Sequence, residues 1–164
     1  MLNYLRRGNK MKITSSGIVN NYILDKYGKR GNNKKFGVPT LSLPFEIIDV
    51  PKDAKSFVVV FDDPDSVNVC NKIWLHWVIA NLHRTKVEEN ESLSAYDFLQ
   101  GRTDFNDNCY GGPCPPDKPH KYRLTAYALN QDLDLKGNFS YQKLLEQMDG
   151  KIIAQATIYG IYEN

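Results

Sequence analysis

The chain has 164 residues, 41% hydrophobic and 24% charged, which is ordinary globular usage and enough material for one domain with its own core. It carries no low-complexity tract or internal repeat, and no stretch approaches the roughly 20 apolar residues of a membrane span, so disordered, solenoid and helical membrane classes are excluded. The net charge of +2 conceals an asymmetry, since residues 1 to 36 hold nine Lys or Arg against Asp25 alone, leaving about −6 on the remainder.

Residues 1–10 (MLNYLRRGNK) lack the apolar run of a signal peptide, so a cytoplasmic location is expected. They read as a disordered extension, with a single domain over 11–164 beginning at Met11. The basic first third suits phospholipid head groups or nucleic acid in principle, but the ordinary reading is a solvated arm, and nucleic acid is not among the expected partners. Lys12 to Val19 and Phe45 to Val50 are weaker strand candidates. Ser56 to Phe61 is rich in β-branched and aromatic residues and bounded by Pro51 and the turn-forming run Asp62 to Asp65, so it reads as a buried strand. Ile73 to Asn81 alternates Trp74, His76, Val78 and Ala80 on one face with Ile73, Leu75, Trp77 and Ile79 on the other. A short helix is expected around Ser94 to Gln100. His120 to Leu129 reads as a strand that places His120 and Tyr122 on one side. Tyr141 to Met148 reads as a helix capped by Ser140, stapled by Phe139 and Leu144, and closed by Gly150. Lys151 to Tyr162 is the last strand. Many short strands with one or two short helices define a mainly β fold, a two-sheet β-sandwich.

Three places carry chemistry. Asp62-Asp63-Pro64-Asp65 sets three carboxylates in four residues at a strand end, where like charges repel unless a cation or donor receives them; an Asp-rich turn is the plain alternative. His76 stands alone on an apolar strand, either a satisfied core residue or a titratable group on a pocket wall. The loop from Tyr110 to Pro116 combines Gly111 and Gly112 with stiffening prolines and leads into His120 and Tyr122. Its glycines can turn backbone N–H groups toward an anion. Three cysteines, Cys70, Cys109 and Cys114, cannot form a closed disulfide set and fit a reducing compartment, with a Cys109 to Cys114 link left open.

The DDPD turn, the LHWVIAN strand, the GGPCPP loop with HKY after it, and the closing ATIYGIY strand together resemble the phosphatidylethanolamine-binding protein family, in its compact bacterial, Raf kinase inhibitor-like branch. The resemblance runs over nearly the whole chain from Met11. It implies a β-sandwich and a small pocket for phosphate or the phosphoryl end of a head group. On the matching positions it implies a ligand site of Asp63, Asp65, His76, Gly112, Pro113, His120 and Tyr122, without metal or cofactor. It implies a non-enzymatic binding protein whose partners are a phosphate-bearing or other anionic small molecule, a phospholipid surface contacted peripherally, or a kinase or protease to be inhibited, and it is compatible with a homodimer. Two departures stand out. Ser66-Val67 replaces the usual Ala-Pro after the acidic turn, so a less rigid turn is expected, and the sequence ends at Asn164 without the carboxy-terminal helix of eukaryotic members, so a more open pocket is expected.

An anion entering a small apolar cleft loses hydration and needs donors, here the imidazole N–H groups of His76 and His120, the Tyr122 phenol and backbone N–H near Gly112. Asp63 would hold one histidine protonated and raise its pKa. A hydrolase is the alternative, with His76 or His120 as general base, Asp63 as its orienter and Cys114 as the reactive neighbour. A divalent metal on Asp63, Asp65, His76 and His120 is a third reading, to which the family resemblance lends nothing.

Overall fold

A computed structural model of the protein describes residues 10–164. In chain order its elements are β1 (Lys12–Thr14), β2 (Ile18–Val19), β3 (Tyr22–Ile23), β4 (Lys34–Lys35), β5 (Val38–Pro39), β6 (Phe45–Ile48), β7 (Ser56–Asp63), α1 (Val67–Cys70), β8 (Trp74–Leu82), β9 (Lys86–Val87), β10 (Leu99–Gln100), β11 (His120–Leu129), α2 (Tyr141–Met148) and β12 (Ile152–Tyr162). A seven-stranded sheet runs β10-β8-β7-β11-β12-β3-β2, a three-stranded sheet runs β1-β6-β9, and β4-β5 form a separate hairpin. Neighbours are antiparallel except β12 and β3, which are parallel. The proposed extension 1–10 falls outside the described residues apart from Lys10, and Met11 is already buried in the core.

The centre of the large sheet is covered on both faces, which is why β7 is apolar in succession rather than in alternation, while β12 leaves one face to solvent. Phe57, Val59, Phe61, Trp77, Ile79, Leu124 and Ala126 pack against Ile13, Phe45, Ile47 and Val87 of the small sheet. This is the sandwich. On the opposite face Val58, Val60, Val78 and Ala80 pack under α2 through Leu144 and Met148. The helix has the expected caps: Ser140 Oγ accepts from the Lys143 N–H at 3.1 Å, Phe139 and Leu144 share the cluster, and Gly150 takes φ of +74°.

Three local expectations need correction. The helix expected at Ser94 to Gln100 is absent. That stretch holds β10, paired with β8 at Leu99↔Ala80, because an edge-strand partner outweighs weak helix propensity over so few residues. The second helix is α1, one turn immediately after the acidic run. Lys12 to Val19 is not one strand, since β1 joins the small sheet and β2 the large one, with the crossing at Gly17, where a Cβ would come within 2.8 Å of the Tyr27 ring.

The third correction concerns His76. Phe61 pairs with Trp77 but Asp62 pairs with Leu75, so β8 carries one additional residue at this point, a β-bulge at His76. Strict alternation put His76 beside Val78 and Ala80. The bulge instead sends Val78 and Ala80 under α2, with Leu75 packed against the same cluster, and turns His76 to the side of Trp77. A one-residue slip inverts facing, and here it delivers the imidazole to Tyr122.

Candidate functional site

Asp62 and Asp63 end β7 and point to opposite faces of the sheet. Asp62 turns toward the α2 side and receives Arg123 through two bonds, from Nε at 2.9 Å and Nη2 at 2.7 Å. Burial pushes its pKa up even so. Asp63, only 4% exposed, turns to the other face, where its Oδ2 accepts from His120 Nδ1–H at 2.6 Å and its Oδ1 from the Ser66 N–H at 3.2 Å. Asp65 does not enter the site; its Oδ2 accepts from the Lys121 N–H at 2.8 Å and clips the turn onto β11.

The Ser66-Val67 departure does not loosen the turn. Ser66 Oγ lies 2.6 Å from both the Asp63 and Lys72 carbonyls and accepts from the Trp74 N–H at 2.9 Å. One hydroxyl therefore ties both ends of the acidic turn to the start of β8. Ser66→Ala is expected to cost about 1 to 2 kcal/mol, because it leaves the half-buried Trp74 N–H without its acceptor. Urea unfolding measures this, and a change below about 0.5 kcal/mol would mean that solvent replaces the hydroxyl.

His120, 1% exposed, donates from both ring nitrogens: Nδ1–H to Asp63 and Nε2–H to Asp117 Oδ1 at 2.8 Å. Burial opposes its charge, but the two carboxylates outweigh burial and raise its pKa above the ordinary value. With a carboxylate oxygen on each ring nitrogen both nitrogens donate, the bonding pattern of an imidazolium, which leaves no lone pair for general-base work. His76 is the opposite case. Complete burial lowers its pKa to about 4, and its Nδ1–H donates to the Gly111 carbonyl at 2.6 Å. It is neutral, its Nε2 is an acceptor, and it does not supply the outward N–H expected of it. The ring is held edge-on by Tyr122 and Phe105, with centroids at 5.2 and 5.3 Å. Tyr122 is buried, and burial together with the neighbouring Asp63 carboxylate raises its pKa, so it keeps its proton.

The Gly-Pro loop is a wall, and its backbone donors face inward. The Gly111 N–H donates to the His76 carbonyl and the Gly112 N–H to the Pro39 carbonyl, both at 2.9 Å, while the Pro113 carbonyl accepts from the Lys29 N–H at 2.8 Å. Neither Gly111 nor Gly112 turns its N–H toward an anion, and Gly112 and Pro113 do not line the cavity.

Between this loop, α1 and the sheet lies a cavity of about 280 Å³. Asp63, His76, His120 and Tyr122 come together at it, with Trp74, Phe105, Val69, Cys70, Cys114, Pro116 and Ser66 completing its walls. A larger open depression of about 580 Å³ lies between β1 and β12, but the ionisable groups that line it are Lys10 and Lys12, with no carboxylate or imidazole in the lining. The smaller cavity is therefore the candidate site. Trp74 was legible from its spacing to His76. Phe105, Pro116 and Asp117 come from irregular loops, where no periodicity reveals facing. The cysteines are free thiols, Cys70 and Cys114 being exposed. Among the described residues no group of three or more His, Cys, Asp or Glu side chains is arranged to hold a metal ion, and no helix is long and apolar enough to cross a membrane.

A β-sandwich that holds, among the described residues, a small cleft apolar along its walls and polar at one end has the architecture of a binding protein. The sequence profile of the phosphatidylethanolamine-binding protein family matches residues 14–163, and the chain belongs to that family. It is similar to the uncharacterized protein YxkA of Bacillus subtilis, 36% identical over 156 residues, 85% of this chain and 93% of that one. A UPF0098 protein of Chlamydia trachomatis is 39% identical over 126 residues, 75% of this chain and 83% of that one. Two crystal structures share the fold. A phosphatidylethanolamine-binding protein homologue of Chlamydia trachomatis superposes with a TM-score of 0.82 at 35% identity, covering 95% of this chain and 99% of that one. Escherichia coli YbcL, described as a new member of the mammalian family, gives 0.80 at 27% identity, covering 94% and 99%.

Proposed function

We propose that the cavity binds the phosphate-bearing end of a small molecule, a phospholipid head group or a phosphorylated segment of a partner protein, without turning it over. The single observation that carries this reading is His120: a buried ring with a carboxylate on each nitrogen, anchored from behind by Asp63, whose outer N–H already grips a carboxylate oxygen at 2.8 Å. An anionic oxygen is the chemistry that this N–H selects. The apolar stretch of Trp74, Phe105 and Val69 receives whatever the anion is attached to, and supports an organic phosphate over the inorganic ion. A kinase or protease held through a phosphorylated segment would be an inhibitory use of the same seat. Peripheral contact with phospholipid draws less on the basic first third than its charge suggests, since Lys26, Arg30 and Lys35 are paired with Glu89, Asp25 and Asp107.

Calorimetry with inorganic phosphate tests the reading. His120→Ala is expected to weaken binding roughly tenfold to a hundredfold, the loss of one charge-assisted hydrogen bond. With sulfate, whose charge is constant, affinity of the wild type is expected to fall as pH rises through the raised His120 pKa. Equal affinity in both proteins would reject the site.

A further inference from the structure

The two carboxylates on His120 are not alike. Asp63 is buried and held in place by the Ser66 N–H as well as by the ring. Asp117 lies on the loop between the Gly-Pro wall and β11, its side chain is 45% exposed, and His120 is its side-chain partner among the described residues, with the Lys118 backbone N–H as a second contact. Removing Asp63 from the ring would strip a buried charge of its partner. Releasing Asp117 from the ring takes a side-chain rotation into water, where a carboxylate is fully solvated and the exposed Lys118 N–H is solvated as well.

The charges give the reason to release it. Asp63 and His120 form a neutral pair, and Asp117, bonded to the outer nitrogen of the cavity-lining His120, leaves this cluster with an excess negative charge. A phosphate approaching the outer N–H meets both a filled donor and a like charge. The neighbouring groups do not compensate: His76 is neutral, Tyr122 keeps its proton, and both line the same cavity.

We infer that the Asp117 carboxylate is a built-in occupant of the anion seat, which an incoming phosphate must displace from His120 Nε2, so that Asp117 sets the affinity and anion selectivity of the pocket. The inference rests on the proposed anion-binding reading. The ligand class follows from it. Weakly basic monoanions that offer one oxygen to one N–H compete poorly with a tethered carboxylate, whose effective concentration is high. Phosphate esters, with more charge and a group to place against Trp74 and Phe105, compete well.

The test uses the full chain and calorimetry with inorganic phosphate and with phenyl phosphate. Asp117→Ala and Asp117→Asn are expected to bind both probes at least about tenfold more tightly than the wild type, because the competitor and its charge are gone. Asp132→Asn, which removes a surface charge paired with His83 instead, is expected to leave affinity unchanged. A second readout does not depend on binding: titration of the histidine rings by NMR is expected to show the His120 pKa lower in Asp117→Ala than in the wild type. Unchanged or weaker phosphate binding in both Asp117 variants, with wild-type binding intact and lost in His120→Ala, overturns this inference and leaves the pocket reading standing. An unshifted His120 ring in Asp117→Ala overturns it as well. Absence of phosphate binding in the wild type and both Asp117 variants removes the pocket reading, and this inference with it.

Discussion

Gly112→Ala is expected to destabilise the protein by about 3 kcal/mol and to lower its melting temperature by roughly 10 °C. A Cβ at this position would stand 2.1 Å from the Tyr27 carbonyl oxygen and 2.8 Å from Pro39 Cβ, and the first of these is backbone that cannot rotate away. The loop has little freedom to retreat, because the Gly112 N–H is bonded to the Pro39 carbonyl and the Pro113 carbonyl to the Lys29 N–H on the same side. Any retreat of the loop also moves Gly111, whose carbonyl holds the His76 ring, so phosphate affinity is expected to fall together with stability. Gly137→Ala is the control, since a Cβ there meets nothing within 4 Å, and it is expected to be nearly neutral. Urea unfolding of the two variants decides the matter; a Gly112→Ala protein as stable as Gly137→Ala would show that the loop does not make this close approach.

The second large effect is acid sensitivity centred on His76. Its folded-state pKa, about 4, lies well below the ordinary 6.5. The unfolded chain takes up a proton below pH 6.5 that the folded protein refuses, so the stability contributed by this residue is fully present above 6.5 and is lost as pH falls toward 4. The whole effect is about 3 kcal/mol, at 1.36 kcal/mol for each pKa unit. His120 has the opposite sign. Its raised folded pKa contributes stability that is complete below 6.5 and fades as pH rises through that pKa. Together the two histidines place their combined optimum near pH 6.5. The difference between wild type and His76→Gln isolates the first from the carboxylates that titrate in the same acid range. Urea midpoints for the pair are expected to converge by about 3 kcal/mol between pH 6.5 and 4, and parallel curves over that interval would contradict a neutral, buried His76.

Much of the architecture was legible before any coordinate. The run SFVVVF is too apolar on consecutive positions for a half-exposed strand, and it occupies the doubly covered β7. The spacing of Ser140, Phe139, Leu144 and Gly150 located α2 to the residue, because capping is a local matter of hydroxyls, staples and positive φ. Period-two alternation put His120 and Tyr122 on one face, where both line the cavity. The same rule failed at His76, since a bulge leaves no mark in the alternation of one strand; it exists only in the register against β7. The short helix expected around Ser94 to Gln100 failed for a related reason, since the two residues of β10 become a strand only because β8 offers an edge.

What the amino-acid order determined by itself is therefore the set of buried faces, the helix ends and the chemical types available for a site: two imidazoles, a phenol and an acidic turn. Only the tertiary structure decided their states. Burial and a carbonyl made one imidazole a neutral acceptor, while two carboxylates made the other a cation, and both outcomes depend on partners 35 and 57 residues away in the chain. Protonation follows the dielectric and the charges around a group, and these are properties of the packed surroundings that no local pattern of residues encodes.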